Sequence, residues 1–130
     1  MLDSIPINKE RAVGMHIINF AVNNLEKSFE FYVDRLGFEK TGSREVRITK
    51  STKIWLHQIE NVEDKPNDIS MHWFEIGTKD IEGFYRKLKE ENVPVGDRYD
   101  NPGCGRYFDV YDPDGRKITV CQDWYNRFEV

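Results

Sequence analysis

The side chains of this chain that have the chemistry to act on another molecule are few and scattered. His16, His57 and His72 are its histidines, and Cys104 and Cys121 its cysteines. Two cysteines make no disulfide framework, and these two lack the spacing of a zinc site. Either thiol could serve as a nucleophile, Cys104 the more exposed because it lies between Gly103 and Gly105. No histidine stands beside either in the sequence to activate it. Asp112 and Asp114 invite reading as an acid–base dyad. They fall instead within Asp112-Pro113-Asp114-Gly115, whose proline and glycine belong to a type I turn. His57 offers an imidazole, the group that exchanges protons near neutral pH, but it matches no motif and reads first as a surface residue at a strand end. Trp55, Trp73 and Tyr107 are of another kind, since aromatic faces stack on planar rings and attract cations. Asp109 among them suits an amine-bearing ligand. The competing readings are rings that fill an interior or an interface, and an Asp109 paired with a lysine or arginine such as Arg47.

Hydrophobic periodicity supplies the elements that position these residues. Ile17 to Val22 is rich in strand formers, and Asn23-Asn24 then provides a turn and a helix N-cap. Leu25, Phe29, Tyr32, Val33 and Leu36 have the spacing of an amphipathic helix, which Gly37 ends. Extended runs follow at about 38–42, 44–50 and 53–59, then a polar loop over 60–69. The order then repeats. A strand over Met71 to Ile76 leads to a helix capped by Asp80 and running from Ile81 to about Asn92. Strands near 95–100, 105–111 and 116–122 complete it. Phe20-x-Val22 before Leu25-Glu26 matches Phe74-x-Ile76 before Ile81-Glu82 as a faint duplication. The strands are offset by 54 residues (74 minus 20) and the helices by 56 (81 minus 25), which places two extra residues within Gly77-Thr78-Lys79.

Strand parity separates two faces. One set is apolar: Ile18, Phe20, Val22, Ile54, Leu56, Phe74, Ile76, Phe108, Val110, Ile118 and Val120. It should pack beneath the two helices. The other mixes polar and aromatic types: Ile17, Asn19 and Ala21; Lys53, Trp55 and His57; Met71, Trp73 and Glu75; Tyr107 and Asp109; Lys117, Thr119 and Cys121. A lining of apolar and aromatic walls with a few polar groups is what a small organic ligand finds in a pocket.

The chain's 130 residues, 38% hydrophobic and 32% charged, fit one globular domain spanning 1–130, because each half alone is too short to bury a core. A net charge of −4 argues against general nucleic-acid binding. No stretch approaches a membrane span or a signal peptide, so cytoplasmic residence with reduced thiols is expected.

Two signatures now bring in a family. Val22-Asn23-Asn24-Leu25-Glu26-Lys27-Ser28-Phe29-Glu30-Phe31-Tyr32 followed by Leu36-Gly37-Phe38, and Gly105-Arg106-Tyr107-Phe108-Asp109-Val110-Tyr111-Asp112-Pro113-Asp114-Gly115, resemble the vicinal oxygen chelate superfamily over roughly residues 15 to 123. Asn24 stands where that family usually has aspartate. The glycine–arginine pair before the second strand is most similar to the bleomycin-resistance branch. The resemblance implies an α+β fold of two βαβββ modules, about 15–59 and 70–122, whose mixed sheet curls into a cup with the helices outside. It also implies ligands on the polar and aromatic face, and a homodimer with pockets near its interface.

Metal-using members take their ligands from four strands, and the resemblance carries those positions onto Ile17, Trp55, Met71 and Thr119. None has an imidazole or carboxylate, so no metal and no other cofactor is expected. His16 and His72 lie one residue from two of these positions. One residue turns a side chain to the other face, so both histidines read first as structural, packed or partly exposed; a β-bulge at either would return it to the pocket, where Glu75 is the obvious third ligand. Arg106 reads as a structural salt bridge, and the aromatic tail Trp124 to Phe128 as packed on the domain or on a second subunit. The expectation is therefore a metal-independent binding protein that sequesters an aromatic or cationic compound through Trp55, His57, Trp73, Tyr107, Asp109, Asn19, Met71 and Thr119. The competing readings are a metal-dependent glyoxalase-like lyase or dioxygenase with a shifted register, and a protein-interaction module.

Overall fold

In a computed structural model, residues 17–60, 73–101 and 105–123 are described, with the backbone alone for 97–101 and 105. The strands are β1 (Ile17–Val22), β2 (Glu39–Lys40), β3 (Glu45–Arg47), β4 (Lys53–Gln58), β5 (Trp73–Thr78), β6 (Val95–Asn101), β7 (Gly105–Tyr111) and β8 (Lys117–Gln122). The helices are α1 (Leu25–Phe29), continued by a π-helical segment Glu30–Arg35, and α2 (Ile81–Glu90). They form two four-stranded mixed sheets of the same order, β1-β4-β3-β2 and β5-β8-β7-β6. In each, the first strand runs parallel to the last and the other pairs are antiparallel. This is the expected α+β arrangement of two βαβββ modules. The predicted 60–69 loop falls almost wholly outside the described residues, as do His16, Met71, His72, Cys104 and the tail from Trp124. No helix among the described residues is long and apolar enough to cross a membrane.

The parity reading sorts the core. Phe20, Val22, Ile54, Leu56, Ile76, Phe108, Val110, Ile118 and Val120 are buried in one cluster, with Ile18 and Phe74 packed against it. Phe84 and Tyr85 of α2 meet Phe108 edge-on at 6.2 and 5.1 Å, which seats that helix on the apolar side of the second sheet. Phe20 touches Phe74 at 5.6 Å across the two modules.

The first helix departs from the sequence pattern. Asn24 caps it through Lys27 N–H and Asp80 caps α2 through Gly83 N–H, as expected. From Glu30, however, the helix widens, and Leu36 N–H reaches back five residues to Phe31 C=O. More residues per turn rotate the buried face. Ser28, Phe31, Tyr32 and Leu36 point inward, while Leu25, Phe29 and Val33 of the predicted stripe are half-buried.

Strand register corrects the duplication. Ile17 lies opposite Lys53 and Trp73 opposite Lys117, so Ile17 and Trp73 are equivalent. Two residues separate strand from helix in both copies, Asn23-Asn24 and Lys79-Asp80, and the predicted insertion at 77–79 does not exist. One further detail repeats. Gln58 Oε1 accepts from Leu25 N–H and Gln122 Oε1 from Ile81 N–H, each at 3.0 Å, tying the end of the last strand to the start of the helix.

The Asp112–Gly115 turn does more than reverse the chain. Gly115, at φ +93°, closes it through a 3.0 Å bond from its N–H to Asp112 C=O. Asp112 and Arg116 are buried, and the Arg116 guanidinium pairs with Asp112 at 3.2 Å and Asp114 at 3.7 Å. It also donates to Ala21 C=O of β1 and lies 4.4 Å from the centre of the Phe20 ring. Tyr32 donates its hydroxyl to Asp112 at 2.7 Å, and Asn23 N–H donates to Asp114 at 2.9 Å. The turn of the second module is thereby bolted to the first strand and helix of the other.

Burial and then the adjacent Asp112 carboxylate push the Tyr32 phenol well above its ordinary 10.0. That contribution to stability is complete below pH 10 and declines above it, where the unfolded chain ionises Tyr32 and the folded one does not. Urea denaturation should show Tyr32→Phe about 2 kcal/mol less stable near neutrality, from the lost bond to a charged partner. Above pH 10 the gap should narrow by about 1.4 kcal/mol per pH unit. A gap independent of pH would remove Tyr32 from this role.

Candidate functional site

The second sheet carries a connected set on its polar face. Trp73 begins β5, and its indole N–H donates to Thr119 Oγ1 of β8 at 2.7 Å. The Thr119 hydroxyl donates in turn to Asp109 Oδ1 of β7, also at 2.7 Å. Asp109 and Thr119 are direct cross-strand partners, which fixes that bond. Lys117, two residues earlier on β8, sets its ammonium 4.7 Å from the centre of the Trp73 rings and 3.9 Å from Asp109 Oδ2. Trp73 nevertheless remains 61% exposed. A large indole is thus held in one orientation with most of its surface in water. Tyr107 lies half-buried one pleat from Asp109, opposite Cys121 in register, and Cys121 Sγ lies 4.0 Å from Glu75.

The first sheet carries a related set. Trp55 donates its indole N–H to Glu45 at 2.9 Å, and Lys53 lies 3.8 Å from the same carboxylate. The Arg44 guanidinium is 5.9 Å from the Trp55 ring centre. His57 packs edge-on to Trp55 at 6.4 Å, and its Nε2 lies 2.7 Å from Asn19 Oδ1. The spacing that relates Gln58 to Gln122 also relates Lys53 to Lys117, Trp55 to Thr119 and Glu45 to Asp109. Each module therefore repeats a lysine–carboxylate pair on the polar face of neighbouring strands.

Of the predicted site residues, Trp55, His57 and Asn19 form one contact group, and Trp73, Thr119 and Asp109 another. Among the described residues no ring contact joins Trp55 to Trp73. Met71 is outside the described residues. Asp109 does not pair with Arg47, which bonds Glu39 across β2 and β3. Arg106 forms its expected salt bridge, to Glu82 at 3.0 Å. Sequence reading passed over Glu45 and Lys117 as site residues. Their signal lay in register, since Glu45 faces Trp55 and Lys117 faces Trp73.

The donor set does not fit a divalent metal. On the equivalence of Ile17 and Trp73, the third of the four positions carried over from the family falls on Trp73 and not on Met71. The four are then a hydrocarbon, two indoles committed as donors to Glu45 and Thr119, and a hydroxyl committed to Asp109. Such groups do not replace the water shell of a hard or borderline cation. No group of three His, Cys, Asp or Glu side chains among the described residues is placed to hold one. Register runs without a slip along Ile17–Val22 and Trp73–Thr78.

An open groove of about 450 Å³ lies elsewhere, on the helix side, between Phe31 and Arg35 on one wall and Val93, Tyr111 and Pro113 on the other. Its Arg35 is already bonded to Glu30 and Glu91 at 2.9 and 2.8 Å. It contains none of the predicted site residues and reads as the seam between modules.

Residues 14–120 match the Glyoxalase/Bleomycin resistance protein/Dioxygenase superfamily. Solved structures with the same fold include TnmS3, an antibiotic binding protein from Streptomyces sp. CB03234, with 24% identity, TM-score 0.63, and coverage of 86% of this chain and 98% of that one. A superfamily member from Sphaerobacter thermophilus gives 25% identity, TM-score 0.64, and coverage of 86% and 98%. A lactoylglutathione lyase from Agrobacterium tumefaciens gives 15% identity, TM-score 0.63, and coverage of 85% and 94%.

The Thr119 hydroxyl is the hinge of the second set. Thr119→Val, nearly isosteric, should cost about 1 kcal/mol and release the Trp73 indole. In a proton–nitrogen correlation spectrum the Trp73 Nε1 signal should shift and broaden while that of Trp55 stays in place. An unmoved Trp73 signal would show that the relay does not hold the ring.

Proposed function

Since the chain belongs to the glyoxalase/bleomycin resistance protein/dioxygenase superfamily, we propose that it is a metal-independent small-molecule-binding protein that acts by sequestering an aromatic or cationic compound. The observation that carries this reading is Trp73, 61% exposed yet fixed by the bond to Thr119. An indole oriented before a ligand arrives loses little freedom on binding, so stacking is expressed as affinity. Asp109 and Glu75 add negative charge beside it, and Trp55, His57, Asn19 and Tyr107 extend the lining on the same strand parity. Sequestration needs no transition state to be stabilised, which agrees with side chains whose polar atoms already satisfy one another. The likeness in fold to an antibiotic binding protein supports the class of function and not a particular ligand.

Titration with planar aromatic compounds, followed by tryptophan fluorescence, tests the reading. Trp73→Ala should weaken the tightest of them about tenfold, equivalent to ~1.4 kcal/mol of stacking. Prior treatment with a chelator should leave affinity unchanged. A tightly held divalent ion at one per chain, with binding lost on chelation, would favour the lyase or dioxygenase reading instead.

We also propose a homodimer. β1 and β2 edge the first sheet and β5 and β6 the second, and edge strands offer backbone groups for pairing with another copy. Sedimentation equilibrium should give about twice the 15.4 kDa chain mass. A single species at the chain mass would end that proposal. We place its action in the cytoplasm, where both cysteines stay reduced.

A further inference from the structure

We propose that the Lys117 ammonium is the resting occupant of a cation site made by the Trp73 indole face and the Asp109 carboxylate, and that a ligand's cationic group binds there by replacing it. This rests on the reading of the pocket face as a binding surface and names the ligand class: a flat ring carrying a positive charge.

Three features carry the inference. Lys117 occupies the site loosely. Its ammonium is within the ~6 Å reach of a cation–π contact, 4.7 Å from the ring centre. Its 3.9 Å separation from Asp109 is well outside the ~2.7–2.9 Å of a charge-assisted hydrogen bond. Its side chain is 37% exposed and flexible, so it can swing into water and regain rotamer freedom. The rest of the site stays when it goes, because Trp73, Thr119 and Asp109 hold one another through two 2.7 Å bonds.

The departure of Lys117 also leaves a demand. Asp109 is 17% exposed, Oδ1 accepts the hydrogen bond from the Thr119 hydroxyl, and Oδ2 faces the lysine. A largely buried carboxylate that loses its counter-charge is costly. A neutral ring stacking on Trp73 incurs that cost, whereas a cationic ring supplies the missing charge. Selectivity for cations thus follows from what the carboxylate needs once the lysine has moved.

The duplicated module acts as an internal comparison. Lys53 and Glu45 repeat the lysine–carboxylate pair at 3.8 Å. Opposite Lys53, however, stands Ile17, where Trp73 stands opposite Lys117. The ion pair is common to both copies, and the indole beneath the ammonium belongs to the second.

The test uses N-methylquinolinium as the cationic probe and quinoline, at a pH where it is uncharged, as its neutral counterpart. Both are titrated against the native chain, Lys117→Met, Lys117→Gln and the double variant Lys117→Met/Asp109→Asn. Removing the ammonium that both rings must displace should tighten N-methylquinolinium and quinoline alike, about fivefold, in either single variant. In the double variant the gain should vanish for N-methylquinolinium, which has lost its counter-charge, and persist for quinoline. Unchanged or weaker N-methylquinolinium binding in both Lys117 variants overturns the proposal, as does a gain for N-methylquinolinium that persists in the double variant. Quinoline binding that depends on Trp73 would, in either case, leave the pocket-face reading standing. Failure of both probes against every variant would sink the two together.

Discussion

A guanidinium with no water to solvate it is the constraint around which this protein is arranged. Arg116 is fully buried, and so are the carboxylates it faces. Removing an ion from water costs several kcal/mol even after relaxation, so each of its partners has to be in place for the fold to be favourable. Those partners come from both modules: Asp112 and Asp114 from the turn itself, Ala21 and Phe20 from β1. Tyr32, from the first helical segment, holds Asp112 from the other side. The relative placement of the two sheets, and hence of the two polar faces, is anchored at one turn. A purely apolar seam would tolerate sliding, whereas a directional network admits one alignment.

On that scaffold the two modules keep a common plan and differ in what they present. Gln58 and Gln122 secure their helices alike, and each module sets a lysine beside a carboxylate on the polar face of its sheet. The copies part where chemistry is at stake. In the first, the indole sits within the strand and bonds the carboxylate directly. In the second, a hydroxyl takes that place and the indole moves to the neighbouring strand. Positions that would ligate a metal in related enzymes are used here to orient rings.

Much of this was legible before any coordinates. Alternation at even positions from Phe20 to Val120 identified the core, and Asn24, Asp80 and Gly37 marked helix ends correctly, because each depends on local chemistry. What failed depended on partners distant in sequence. The duplication was aligned two residues out, since Phe20 resembles Phe74 in type while backbone pairing matches it to Ile76. Asp109 was offered Arg47, which is held by Glu39. Arg116 was missed although it shares the parity of Ile118, as Asp112 shares that of Val110. Charged residues flanking a turn ordinarily face water, and nothing local announces that Tyr32 and Ala21 wait to receive them.

The widened stretch of helix from Glu30 to Arg35 has a consequence for anyone who would redesign this protein. Its extra residue per turn is what aims Tyr32 at Asp112 and brings Phe31 inside. The usual stabilising exchanges, alanine for serine or leucine for a β-branched residue, improve a regular helix and would tend to wind this one back to it. The phenol would then swing off its carboxylate. Better local propensity here works against the fold as a whole, so the irregular turn should be left alone while the rest of the surface is optimised.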